Sequence, residues 1–394
     1  MWKKLHYLDW KIFVPYVILT ILGIVMVYSS SSYILLINGF NPTTYGVRQA
    51  FFVAFSFLFI GIPCFAVKLS IFKNKKVVKW LLLVSIAMLG FLLVLKFTKG
   101  SAAAVNGAVG WINLGPINLQ PLEIAKLSLV FYLAFVLDKR DGKLVKGRFL
   151  ENLIHPMIIT GFLMVLVLME PDFGGMSILF MIAFVMMMVS GIPTKLALRS
   201  LLGLLLFVVV VFSLIVIWNP KFIQDSYQFQ RLLAFLHPFK LEKGSGAQLV
   251  NSYYAIHNGG LFGTGLGNSM QKKGYLPEPY TDFILSITAE ELGVIVTIII
   301  LFLLFWMMWW IMDVGVKAKS QYNALLCYGI TTIIFTQTFF NVGALLGLLP
   351  ITGVTLPFIS YGGSSIMVLT ACVGIVLNVS ATEKRLQQKQ EGVE

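Results

Sequence analysis

The feature that most limits what this chain can become is a recurring run of about 20 mostly apolar residues, the length a helix needs to cross roughly 30 Å of hydrocarbon. Such runs fall near 12–33, 49–69, 77–97, 121–138, 154–170, 174–192, 199–218, 283–312, 323–345 and 359–380, about ten in all. No soluble globule hides that much apolar helix. Charged residues make up 12% of the chain and the mean hydropathy is +0.86, where a soluble domain carries about 25% charge. The fold class read from this pattern is an all-α polytopic membrane protein. It forms a single membrane-embedded domain over 1–394, with a large extracytoplasmic loop at 219–282 between the seventh and eighth helices and a tail at 381–394.

Basic residues orient the spans. Lys3, Lys4 and Lys11 precede the first run; Lys68, Lys73, Lys75, Lys76 and Lys79 separate the second from the third; Lys139, Arg140, Lys143, Lys146 and Arg148 separate the fourth from the fifth. By this count about 20 of the 30 Lys and Arg lie inside, so both termini are expected in the cytoplasm. The same bias explains the net charge of +13 as topology and contact with anionic lipid, and nucleic acid is not an expected partner. The first run lacks a cleavage pattern and is expected to stay as an anchor. Cys64, Cys327 and Cys372 sit in separate apolar segments and suggest no disulfide framework. The four histidines show no metal-ligand spacing, so no protein metal site is predicted.

The loop at 219–282 is too long to be a mere connector. Its first part, 221–242, mixes aromatics and leucines with polar residues, as a helix lying in the headgroup plane would. Its last part organises the chain. Glycines at 259, 260, 263, 265 and 267 permit backbone that other residues avoid, Pro277 and Pro279 stiffen the residues near them, and a long apolar run starts directly after Asp282. That places a carboxylate where water meets bilayer, as a helix cap or as a reacting group.

Other ionisable groups sit where lipid makes them costly. Glu123 and Lys126 are i and i+3 on one face of the fourth run, positioned either to fix helix packing or to meet a substrate. Glu170 and Asp172 fall at an external turn, where Asp172 suits a cap for the following helix. Glu290 and Glu291 lie about two turns into the eighth run and need partners. The stretch 347–365 is rich in Pro and Gly, so it is expected to re-enter or cover a cavity rather than continue as helix.

Taken together, NGA with Trp111, QPLEIAK, EPDFG, RLLAFLHPF, the glycine block at 244–269, YLPEPYTDF, EELG and LLPITGVTLPFISYGGSS resemble the shape, elongation, division and sporulation family over nearly the whole chain. This is a family of membrane-embedded peptidoglycan glycosyltransferases. GLGNS followed by QKKGYLPE is closer to its division branch than to its elongation branch. The chain departs from the family at Val109 and Gly110, where a basic or polar residue is usual, at Leu122, where Ser is usual, and at Tyr280, where His is often found.

The resemblance implies a substrate, lipid II, which is a disaccharide-pentapeptide on undecaprenyl diphosphate polymerised at the outer face of the bacterial cytoplasmic membrane. It implies Asp282 as catalytic base. Glu123, Lys126, Arg48, Arg231, Glu278 and Ser364 are its substrate-binding candidates, with Lys126, Arg231 and Arg48 offered to the diphosphate. A divalent cation, Mg or Mn, is the one cofactor the pyrophosphate chemistry would admit. A class B penicillin-binding protein and other division proteins are the expected partners. A lipid II transporter and a noncatalytic division scaffold are the rival readings, since broken helices and intramembrane charge serve transport as well.

Overall fold

The computed structural model describes residues 2–99, 110–113, 115, 118–140, 149–218 and 227–390. Each of the ten apolar runs coincides with a helix. These are α1 (Trp10–Ile37), α2 (Thr44–Ala66), α3 (Lys75–Lys99), α4 (Pro121–Asp138), α5 (Phe149–Met169), α6 (Phe173–Met188) and α7 (Thr194–Trp218), then, beyond two loop helices, α10 (Ile284–Lys317), α11 (Gln321–Leu345) and α12 (Gly363–Gln390). Eight of them are long and apolar enough to cross a membrane. The other two are α4, whose 18 residues include Glu123, Lys126 and Asp138, and α6, with 16 residues. The loop helices are α8 (Tyr227–Leu236) and α9 (Ala247–Gly259). The first lies within the stretch expected to be amphipathic, and the second was not foreseen.

The bundle is built around α12, whose apolar window is 89% buried, and α11, which packs on α4, α6 and α10. Small residues set a close crossing between α12 and α2. A Cβ on Gly374 of α12 would lie 2.7 Å from the carbonyl oxygen of Gly61, where α2 passes through a π turn at Phe57–Gly61. By contrast, no described side chain of α7 over 194–211 is buried. The helix that begins at Gly363 runs on through the expected tail to Gln390, and Lys384 there pairs with Asp9 at 2.7 Å.

The glycine block earns its composition at a break in α10. Gly293 leaves helical geometry at φ 85°, which strands the carbonyls of Glu290 and Glu291 and the amides of Val294 and Ile295. The loop after α9 satisfies all four: Thr264 N and Gly265 N donate to the two carbonyls at 2.9 and 3.0 Å, and Gly260 O and Leu261 O accept from the two amides at 3.0 and 3.3 Å. Two backbones can lie this close only without side chains. A Cβ on Gly263 would sit 2.3 Å from Glu291 O, and one on Gly293 2.3 Å from Leu261 O.

The break also turns two carboxylates inward, where they hold the next loop. Glu290 accepts from the Ser269 hydroxyl, from the amides of Met270 and Gln271 at 3.1 and 3.2 Å, and from Asn258. Glu291 pairs with Lys272 at 2.6 Å and accepts from Ser29 of α1 at 2.6 Å. The partner that Glu291 required is therefore Lys272, nineteen residues back along the chain.

Candidate functional site

Asp282 stands at the mouth of α10, held by its backbone. Asn341 of α11 donates to Asp282 O and to Val354 O, both at 2.8 Å; Ser360 Oγ donates to Thr281 O at 2.6 Å; Tyr361 N donates to Tyr280 O at 2.9 Å. These bonds tie the loop ahead of α10 to the non-helical stretch between α11 and α12, which is largely buried, as its Pro-Gly content required. The helix is capped by Phe283 with no side-chain bond, so the capping alternative for Thr281 and Asp282 does not hold. The Asp282 carboxylate is left half-buried.

Across from it lies Arg231 of α8. A Cβ on Gly353 would be 3.6 Å from Asp282 Oδ2 and 3.6 Å from Arg231 Nη1, so the acid and the guanidinium converge over a bare glycine at φ +75°. Arg231 Nη1 also donates to Ile351 O at 3.1 Å. Burial pushes the Asp282 pKa up to about 6, Glu278 and Asp172 add to the rise, and Arg231 opposes it. Glu278 itself has φ 52° just before Pro279, a strained setting, and its carboxylate accepts from Thr281 Oγ1 at 2.8 Å.

Asp172 does cap α6, accepting from Gly175 N at 2.7 Å. It also belongs to the charged cluster. Burial raises its pKa, and the nearby Glu123 raises it further, against the lowering effect of the Gly175 amide, Lys126 and Arg231. A Cβ on Gly174 would meet Thr352 O at 2.9 Å, so the Glu170–Gly175 turn packs directly on the stretch that carries Gly353. Glu170, in the same turn, is pushed up to about 8 by burial and by Asp172.

Deeper in the bundle, Glu123 and Lys126 form a buried pair at 2.8 Å. A diphosphate would have to displace Glu123 to use that charge. Arg48 is exposed on the first turns of α2, with its guanidinium beside the Tyr361 hydroxyl. Ser364 Oγ accepts from Gln120 N and donates to Asn118 O, both at 3.0 Å, which fastens a small hairpin (β1, Ile112–Asn113; β2, Asn118–Leu119) to the start of α12. Residues 100–109, including Val109 and the NGA segment, lie outside the described residues. Asp282, Arg231, Glu278 and Asp172 thus meet at one site, with the Glu123–Lys126 pair within electrostatic reach of Asp172. Asn341 carried no signal in the sequence, being one of several polar residues, Asn323, Thr331, Thr332, Thr336, Gln337 and Thr338 among them, in the same run. Among the described residues, no group of three or more His, Cys, Asp or Glu is arranged to hold a metal ion.

A helical membrane bundle with a broken helix, a half-buried acid and a facing guanidinium at one end defines a class, that of polytopic proteins with a cluster of charged groups at one end of the bundle. Residues 9–385 match the model of a family described as cell cycle proteins, FtsW/RodA/SpoVE, and the chain belongs to that family. The protein named probable peptidoglycan glycosyltransferase FtsW of Enterococcus hirae is 38% identical, over 99% of this chain and 96% of that one. Its namesake in Bacillus subtilis (strain 168) is 37% identical, over 99% and 94%. Among solved structures, a chain from work on the structural coordination of polymerization and crosslinking by a peptidoglycan synthase complex superposes with a TM-score of 0.74 at 25% identity, covering 95% of this chain and 98% of that one. The rod shape determining protein RodA of Thermus thermophilus superposes at 0.63 and 24% identity, covering 95% and 96%.

Proposed function

We propose that this chain is an inverting peptidoglycan glycosyltransferase that polymerises lipid II during cell division, with Asp282 as general base. The observation that carries the reading is the Asp282 carboxylate, half-buried, raised to about 6 and facing Arg231 across Gly353. A base of that strength is ionised at neutral pH and still takes a proton readily as one is released. In the step proposed, Asp282 takes the proton from the acceptor sugar's hydroxyl. The freed oxygen bonds to the donor's anomeric carbon, and the bond to diphosphate breaks with its electron pair leaving on the phosphate oxygen. One displacement inverts the α-linked donor to a β-glycoside and needs no second, nucleophilic carboxylate.

Arg231, which faces the base across Gly353, is the first candidate to steady the departing diphosphate, and Arg48 stands beside Tyr361 at the same mouth. Lys126 is closed on Glu123, within electrostatic reach of Asp172. Among the described residues, no three His, Cys, Asp or Glu side chains are placed to hold a metal ion. The relatives' names support the activity and the division role, and the peptidoglycan synthase complex supports a class B penicillin-binding protein as partner. Lys73, from the basic stretch between α2 and α3, pairs with Asp138 at the end of α4 remote from Glu123, which supports that stretch and both termini being cytoplasmic.

The test is glycan polymer made from labelled lipid II by the purified protein with its penicillin-binding partner. Polymer from the wild type and none from folded Asp282→Asn is expected. Lipid movement without polymer would replace this reading with the transporter, and growth supported by Asp282→Asn in depleted cells would replace it with the scaffold.

A further inference from the structure

Three tyrosines from three separate parts of the chain converge beside Asp282. Tyr45 is on the first turn of α2, Tyr280 is two residues ahead of Asp282, and Tyr361 ends the non-helical stretch before α12. The rings of Tyr45 and Tyr361 stack at 4.8 Å and 17°; Tyr280 lies 5.1 Å from Tyr45 and 6.0 Å, edge-on, from Tyr361. All three are only partly buried. The cluster is rigid with respect to the base, because Tyr361 N bonds Tyr280 O at 2.9 Å and Gln49, one turn along α2 from Tyr45, donates to Ser360 O at 3.3 Å. Exposed Arg48 extends the same face, one turn along α2 from Tyr45.

Nothing in the chemistry of proton transfer requires this group. The hydroxyls tie the cluster as well, Tyr45 with Tyr280 and Tyr361 with Arg48, but buried phenylalanines would close a loop junction by packing alone. Partly exposed tyrosines offer apolar ring surface together with hydroxyls at its rim, the combination that suits a surface with one apolar and one wet side. A pyranose is such a surface, with C–H groups on its faces and hydroxyls around its edge. The diphosphate is not, since it has no apolar face and donates no hydrogen bond.

We infer that Tyr45, Tyr280 and Tyr361 form a saccharide-binding platform that seats the acceptor sugar over Asp282, with Arg48 meeting an anionic group attached to the same saccharide. The inference rests on the glycosyltransferase reading and names the part of the site that holds the second substrate. The position of Tyr280 assigns the platform to the acceptor, because the hydroxyl that loses its proton must lie nearest residue 282.

The test is direct binding without turnover. In the Asp282→Asn background, the Kd for lipid-linked disaccharide-pentapeptide in detergent is compared for the parent, Tyr45→Leu, Tyr361→Leu and Tyr45→Trp. The expected result is a roughly tenfold weaker Kd for each Leu variant and a Kd within twofold of the parent for Tyr45→Trp, whose ring still stacks. In the catalytically intact background, Tyr45→Leu should raise KM about tenfold and change kcat less than threefold. A Leu variant that binds within twofold of the parent overturns the platform. So does a Tyr45→Trp variant that folds and binds as poorly as Tyr45→Leu, because the rings would then serve only to hold the loops. Should the Leu variants not fold, the Trp variant and Arg48→Gln, a surface change expected to weaken binding about threefold to tenfold, decide the matter in the same assay. Wild-type protein that makes no polymer yet binds the saccharide through these residues would refute the glycosyltransferase reading while sparing the platform.

Discussion

The loop that carries Asp282 hangs on a carboxylate with no access to solvent, and removing its countercharge tests whether that anchor matters. Glu291 is 0% exposed and Lys272 3%, and the two meet at 2.6 Å with Ser29 completing the contact. Lys272→Met keeps most of the stem but leaves a buried charge without its partner, a change that costs about 3–5 kcal/mol where it has been measured. That is a large part of the roughly 5–15 kcal/mol that holds a typical domain together. The double variant Lys272→Met/Glu291→Gln removes the charge as well and keeps an acceptor for Ser29, so it should regain about 2–3 kcal/mol of the loss. Thermal unfolding in detergent, followed by tryptophan fluorescence, reads both variants. Lys317→Met supplies the contrast, because its i,i+4 pair with Asp313 is exposed and worth only about 0.3–0.5 kcal/mol. A cost below about 1 kcal/mol for Lys272→Met, or a double variant no more stable than the single, would show that Glu291 is satisfied in some other way and that the loop does not depend on this pair.

Gly263→Ala should destabilise by about 3 kcal/mol or more, since it combines roughly 1–2 kcal/mol for a side chain at φ +82° with a 2.3 Å approach to Glu291 O; a melting temperature unchanged from wild type would contradict the backbone pairing. Gln337 of α11 is 0% exposed and neither atom of its amide has a hydrogen-bond partner among the described residues, so Gln337→Leu should raise stability by about 1–3 kcal/mol in the same unfolding assay. For the chemistry, kcat/KM for polymerisation should be flat above about pH 7 and fall tenfold per unit below about 6, because Asp282 must be unprotonated to accept a proton; a profile flat down to pH 4.5 would exclude it as the titrating base.

Much of this was legible because the bilayer imposes a length rule. Each apolar run became a helix, the Pro-Gly stretch 347–365 became non-helical backbone up to the start of α12 at Gly363, and the glycine block proved to be where two backbones touch. Pairings across the chain were not legible. Glu291 announced a need for a cation, but 30 Lys and Arg were available, and only the break at Gly293 selects Lys272. The turn at Asp172 read as a cap, which it is. Its second role appears only when α6 packs on the stretch holding Gly353, a contact between residues far apart in sequence. The tyrosine cluster was invisible for the same reason, since Tyr45, Tyr280 and Tyr361 each stand in a different segment.

The charges around Asp282 also bear on how a single base completes a cycle. Burial, Glu278 and Asp172 raise its proton affinity, and Arg231 lowers it. Under the proposed chemistry the diphosphate of a bound donor is drawn to Arg231, which offsets an influence that favours the carboxylate's charged form. Asp282 then becomes a stronger base while substrate is present. Departure of the diphosphate restores the guanidinium's pull on the carboxylate, the pKa returns to about 6, and the captured proton is released at neutral pH. Because kcat reports groups in the bound complex and kcat/KM reports those in the free enzyme, the acid limb of kcat should lie at higher pH than that of kcat/KM. Arg231→Gln should bring the two limbs together. Limbs that coincide in the wild type would mean that the diphosphate binds away from Arg231, and would move its seat to Arg48 or Lys126.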